Sequence, residues 1–171
     1  MTVKASLKDI IAYILKKFPE CNDLSDSRLT KMIYLADWKK AVQQQDTVSD
    51  IKWYYDNYGP YVESIIETAN NNPEIFNVKH TLNAYGTKKK VISLKNKNYP
   101  VNISNEDASV LEDIITRTKD KSFTDFKKIV YNTYPIVFSN QYEYLDLIKL
   151  ADEFRVLVKK VKKVEARPLA V

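Results

Sequence analysis

The chain holds one cysteine, one histidine and two glycines in 171 residues. A single thiol, Cys21, excludes an intramolecular disulfide and any cysteine cage for zinc built from one chain, and it suits a reducing cytoplasm, the expected location. The lone His80 has no second histidine to complete a metal site, so no metal or cofactor is expected. Gly59 and Gly86 lie too far apart to form a glycine-rich phosphate cradle. No apolar run approaches the length needed to cross a bilayer. The N-terminal residues lead into an apolar stretch broken by Lys16 and Lys17, without a small-residue cleavage pattern, and do not read as a secretory signal. A net charge of +5 keeps nucleic acid among the candidate partners without demanding it.

With 44% hydrophobic and 29% charged residues, the chain can bury a sizeable core as one domain. Helical spacing dominates. Leu7, Ile10, Ile11, Ile14, Leu15 and Phe18 recur at threes and fours behind a cap at Ser6 and before Pro19. A second helix is predicted from Asp26 to Gln43, with Leu29, Met32, Ile33, Ala36 and Val42 as its apolar stripe and Lys31, Asp37, Lys39 and Lys40 outside it. Phe76, Val78, His80 and Leu82 alternate with polar residues, and Tyr85-Gly86-Thr87 supplies a turn, which predicts a β-hairpin at about 75–95 with Lys88, Lys89 and Lys90 at its tip. Caps at Ser104 and Ser122 open two more helices, with Pro135 closing the second. A last helix is expected from Glu143 to Lys163, its stripe running through Phe154, Leu157, Val158 and Val161. The expected fold is mainly α: a compact helical bundle with a small antiparallel hairpin, one domain over residues 1–163 and a frayed tail over 164–171.

One segment stands apart, Trp53-Tyr54-Tyr55-Asp56-Asn57-Tyr58-Gly59-Pro60-Tyr61. Proline suits the first turn of a helix and pushes its predecessor out of the α region, so the segment reads as extended up to Gly59 and helical from Pro60 to Asn71. Alternation places Trp53 and Tyr55 on the face opposite Tyr54, which favours burial for the first two. For Tyr54, Tyr58 and Tyr61 burial and outward recognition remain open, tyrosine being well suited to a protein interface.

Three stretches together carry a family resemblance: Leu29-Thr30-Lys31-Met32-Ile33-Tyr34-Leu35-Ala36-Asp37, the Trp53 to Pro60 segment with its Gly-Pro, and Tyr144-Leu145-Asp146-Leu147-Ile148-Lys149-Leu150-Ala151. From about residue 7 to about residue 155 the chain resembles the Panacea domain, the family of SocA-like antitoxins. The resemblance implies a non-enzymatic protein that neutralises a cognate toxin by direct protein–protein binding. It also implies a second alternative, an adaptor that delivers its partner to a bacterial protease. No catalytic residue transfers. The partner-binding candidates are Tyr54, Tyr58, Gly59, Pro60 and Tyr61.

The individual residues point the same way. His80, on the apolar face of its strand, reads as a hydrogen-bonded core residue. Cys21 lacks the neighbours that would activate a thiolate. Glu63 and Glu67 share a helix face as exposed like charges. The rival reading is a winged-helix-like nucleic-acid module whose hairpin tracks phosphates through Lys88, Lys89 and Lys90. Against it, lysines also blunt exposed strand edges, and the second helix offers little to read bases. Membrane-surface binding by the basic last helix is weaker still, because packing needs its apolar stripe.

Overall fold

A computed structural model describes residues 3–19 and 24–166. Cys21 and residues 167–171, most of the expected frayed tail, lie outside the described residues. The fold is mainly helical, with two small antiparallel sheets.

Helix α1 (Leu7–Lys17) starts where the Ser6 hydroxyl accepts from the Asp9 amide and stops at Phe18, extended before Pro19. Ile10, Ile11, Ile14 and Leu15 are buried as their spacing requires. Helix α2 (Asp26–Gln44), capped by Ser25, departs from expectation. It packs against α1, four later helices and parts of both sheets, so it is buried on nearly every side. Lys31, Asp37 and Lys40 are inside rather than outside the stripe. Lys40 survives there through Asp107 at 2.7 Å and Asp46 at 2.9 Å.

The chain departs most from the expected fold just after α2. Strand β1 (Trp53–Asp56) turns through Asn57-Tyr58 into β2 (Gly59–Tyr61), so Pro60 lies in a strand, and helix α3 (Ser64–Asn71) begins four residues later than its proline suggested. Gly59 has φ +92°, which turns the chain back instead of handing it to a helix. As β2 is an edge strand, the missing Pro60 amide costs no ladder bond. The hairpin expected at 75–95 is present as β3 (Phe76–Leu82) and β4 (Lys88–Leu94), paired from Phe76↔Leu94 to Leu82↔Lys88. Its base is buried through Phe76 and Ile92. The Ile92 amide donates to the Leu24 carbonyl at 3.1 Å, and Ser25 bridges Val91. Its distal half is exposed. His80 is exposed with it, because the core reaches only the base of the hairpin.

Helices α4 (Asn105–Thr118) and α5 (Phe123–Tyr131) start at Ser104 and Ser122 as expected, burying Val110, Leu111, Ile114, Ile115, Phe126 and Val130. Pro135 does not close α5. It sits in the first turn of the short α6 (Tyr134–Phe138), where a missing amide is harmless. Residues Tyr144–Leu145 form β5 instead of opening the last helix, and α7 (Leu147–Glu165) starts behind the Asp146 cap. Arg155 donates to the Ala41 and Val42 carbonyls at the end of α2, at 2.9 and 2.6 Å. Past that point the helix gains little cover: Val156, Leu157, Val161 and Val164 are exposed, so the expected stripe is buried only in its first half.

Candidate functional site

The site is built outward from Asp37. This carboxylate is fully buried and accepts from the Ser49 amide at 2.8 Å, from the Ser49 hydroxyl, and from the Trp53 indole at 2.8 Å. Burial pushes its carboxyl up to about 6, against the opposing pull of those hydrogen bonds. Trp53, 1% exposed, also meets the Tyr34 ring edge-on at 5.5 Å. Two stretches of the sequence, the end of Leu29–Asp37 and the start of the aromatic segment, are therefore bound to each other. The strand that leaves Trp53 has no freedom to turn over.

The three-stranded sheet runs in the order β2-β1-β5. Trp53 pairs with Leu145 and Tyr55 with Pro60, while Tyr54 pairs with Tyr61 on one side and Tyr144 on the other. Directly opposed residues share a face, so Tyr61, Tyr54 and Tyr144 form one row across all three strands. Trp53 and Tyr55 point the other way, as alternation predicts. Tyr144 is 74% exposed and Tyr61 37%, and Tyr54 meets Tyr144 edge-on at 5.2 Å. Tyr58, at the turn, is 79% exposed. The Tyr142 hydroxyl donates to Asn57 Oδ1, and its amide donates to the Tyr55 carbonyl, tying the segment before β5 onto the turn.

Gly59 and Pro60 are buried and therefore belong to the support of this face, not to the face itself. A Cβ on Gly59 would lie 2.9 Å from Tyr131 Cε1. The ring of Tyr131 thus occupies the space that glycine leaves. Seven of the twelve tyrosines, Tyr54, Tyr55, Tyr58, Tyr61, Tyr131, Tyr142 and Tyr144, belong to the sheet or pack beside it. Of these, Tyr131, Tyr142 and Tyr144 were not legible as site residues: β5 is two residues long, too short to display a period.

Beside Tyr58 and Tyr61 opens a cleft of about 510 Å³ that Lys31 and Tyr131 also line. Burial, then the nearby Glu63, Asp26 and Asp56 carboxylates, hold the Tyr61 hydroxyl above its usual range. Burial pushes the Lys31 amine down to about 8, with Asp26 opposing and Lys127 adding to the shift.

The alternative candidates do not converge. Lys88 and Lys90 alternate with Lys89 along β4 and so divide between its two faces, near a tip that is open to solvent. Helix α2, which a winged-helix reading would place in a groove, is packed into the core. Among the described residues no group of three or more metal-ligating side chains occurs, and no helix is long and apolar enough to cross a membrane.

The architecture is that of an α-dominated domain presenting an aromatic sheet face over a buried aspartate–tryptophan anchor. Residues 29–135, more than half of the chain, match the family described as antitoxin SocA-like, Panacea domain, and the chain belongs to that family. The match spans the α2 and aromatic-segment motifs and ends before Tyr144–Ala151, the third stretch of resemblance. No curated protein and no solved structure matches the chain.

Proposed function

We propose that this protein is an antitoxin that neutralises a cognate toxin by direct, stoichiometric binding without catalysis, and that the tyrosine row is the face that binds. The observation carrying this reading is the alignment of Tyr61, Tyr54 and Tyr144 on one exposed face, with Tyr58 at its edge, on a sheet whose reverse side is fixed by Trp53. Tyrosines held this way offer large contact area at low entropic cost, because the backbone beneath them is already ordered. The family supplies the class of partner; the tyrosines supply the means. The face would cover the toxin's active surface or hold it in an inactive conformation.

The test uses the product of the reading frame adjoining the gene as the toxin. Tyr58→Ala and Tyr61→Ala should each weaken its binding by about 2 kcal/mol while the melting temperature barely moves, as for interface hot spots. Full affinity in both folded variants would contradict the assignment of the face.

A further inference from the structure

Five charged residues are buried among the described residues: Asp9, Lys31, Asp37, Lys40 and Asp107. Four are provided for. Asp9 accepts from Ser6, Tyr99 and the Asn102 amide, Asp37 from Ser49 and Trp53, and Lys40 pairs with Asp107. Lys31 is the exception. It is 4% exposed, yet among the described residues its Nζ meets a single acceptor, Ser27 Oγ at 3.3 Å, and no carboxylate within ion-pair range. A buried cation with no close counter-ion among the described residues, Asp26 acting on it only from a longer range, is a costly arrangement to keep for packing alone.

Its position gives that cost a use. Lys31 lines the cleft beside Tyr58 and Tyr61. A second cleft of about 550 Å³ shares Asp26, Ser27, Phe123 and Lys127 with it and leads toward Lys88 and Lys89. The Lys127 ammonium lies over the Phe123 ring at 5.3 Å, at the junction of the two. An anion entering from this side meets lysines along its path and aromatic walls at the end.

We propose that Lys31 anchors a carboxylate of the partner: an aspartate or glutamate side chain of the toxin enters between Tyr58, Tyr61 and Phe123 and pairs with Nζ. This rests on the antitoxin reading above and adds the chemistry of one contact. Asp26, Asp56 and Glu63 stand around the same cleft and oppose an anion. They are more exposed than Lys31, and at equal distance a charge pair in a partly buried site interacts roughly fourfold more strongly than one in bulk water. The attraction to Lys31 therefore prevails over the rim for a single carboxylate. The rim rejects a run of them. The segment that fits carries one acidic side chain with neutral or basic neighbours.

The full chain is titrated with benzoate and, as a cationic counterpart of the same shape, benzamidine, following ring signals of Tyr58, Tyr61 and Phe123 by NMR. Benzoate is expected to bind in the millimolar range and Lys31→Met to abolish this, while the variant melts at a higher temperature than the parent. Lys31→Gln, which keeps a hydrogen-bonding group without the charge, should lose benzoate likewise. Both variants should weaken binding of the adjoining gene product about tenfold or more. A preference for benzamidine, no benzoate binding, or unchanged benzoate and toxin affinity in both variants would overturn the proposal. If benzoate binds through Lys31 while the adjoining product does not bind the parent protein, the carboxylate site stands and the antitoxin reading falls.

Discussion

The molecule has two antiparallel hairpins, and they are built on opposite principles. In β1–β2 the ladder is short, three pairs, yet it is held from below by the Trp53 indole on Asp37, from the side by Tyr131 against Gly59, and along its free edge by β5. In β3–β4 the ladder is longer, seven pairs, but only its base touches the core. Length of pairing is therefore a poor guide to rigidity here; anchorage to the core decides it, since an isolated two-stranded ribbon is marginal in water. The short hairpin can present side chains to a partner at fixed positions. The long one ends in an exposed turn over 83–87, with Lys88 exposed and Lys89 and Lys90 half-buried beside it.

The short hairpin is most vulnerable at its anchor. Trp53→Ala removes a buried indole and orphans one donor contact to Asp37, so it should cost about 3 to 5 kcal/mol by chemical denaturation. A cost near that of a surface change would mean the sheet does not depend on the core beneath it.

The same anchor predicts a pH dependence. The Asp37 carboxyl is held near 6 in the folded protein against an ordinary 3.8, so folding favours its protonated form. Its contribution is fully present below about pH 4 and is lost as pH rises through about 6, a fall of up to about 3 kcal/mol. The donors facing it are Ser49 and Trp53, and Lys4 is the cation whose field it feels. Stability measured across this window should show the decline, and Asp37→Asn should flatten it.

The two glycines allow a like-for-like comparison of the hairpins. Both have positive φ, 92° at Gly59 and 77° at Gly86, so alanine is strained at each. A Cβ at Gly86 meets nothing within 4 Å, whereas at Gly59 it meets Tyr131 at 2.9 Å. Gly86→Ala should cost about 1 kcal/mol for the backbone alone, and Gly59→Ala about 2 to 3 kcal/mol, the difference being the displaced ring. Equal costs would show that Tyr131 yields freely and does not brace the turn.

The smallest effect is expected at the basic tip. Changing Lys88, Lys89 and Lys90 together to Glu should leave the melting temperature nearly unmoved, and the parent protein should bind duplex DNA weakly and without sequence preference. Sequence-selective, nanomolar binding at physiological salt would restore the nucleic-acid reading.

Local signals carried the sequence reading a long way. Serine caps and three-four spacing located α1, α2, α4 and α5, and strict alternation located β3–β4, because each of these depends on neighbours within a few residues. The family was legible for the same reason, in contiguous stretches that include Trp53, Gly59 and Pro60. What local signals could not contain was which charges go inside. Lys31 and Asp37 lie in a helix with the composition of a surface element, and only its being surrounded by other elements buries them. Nor could Gly-Pro announce a strand. Proline is compatible with both a helix start and a strand edge, and the choice came from a tyrosine ring seventy-odd residues away and from a two-residue strand too short to leave a period. The row of Tyr61, Tyr54 and Tyr144 exists only in that pairing. Sequence set the chemistry of each residue and the local segments; long-range packing decided which of those residues meet, because contacts between distant segments are written in no single stretch of the chain.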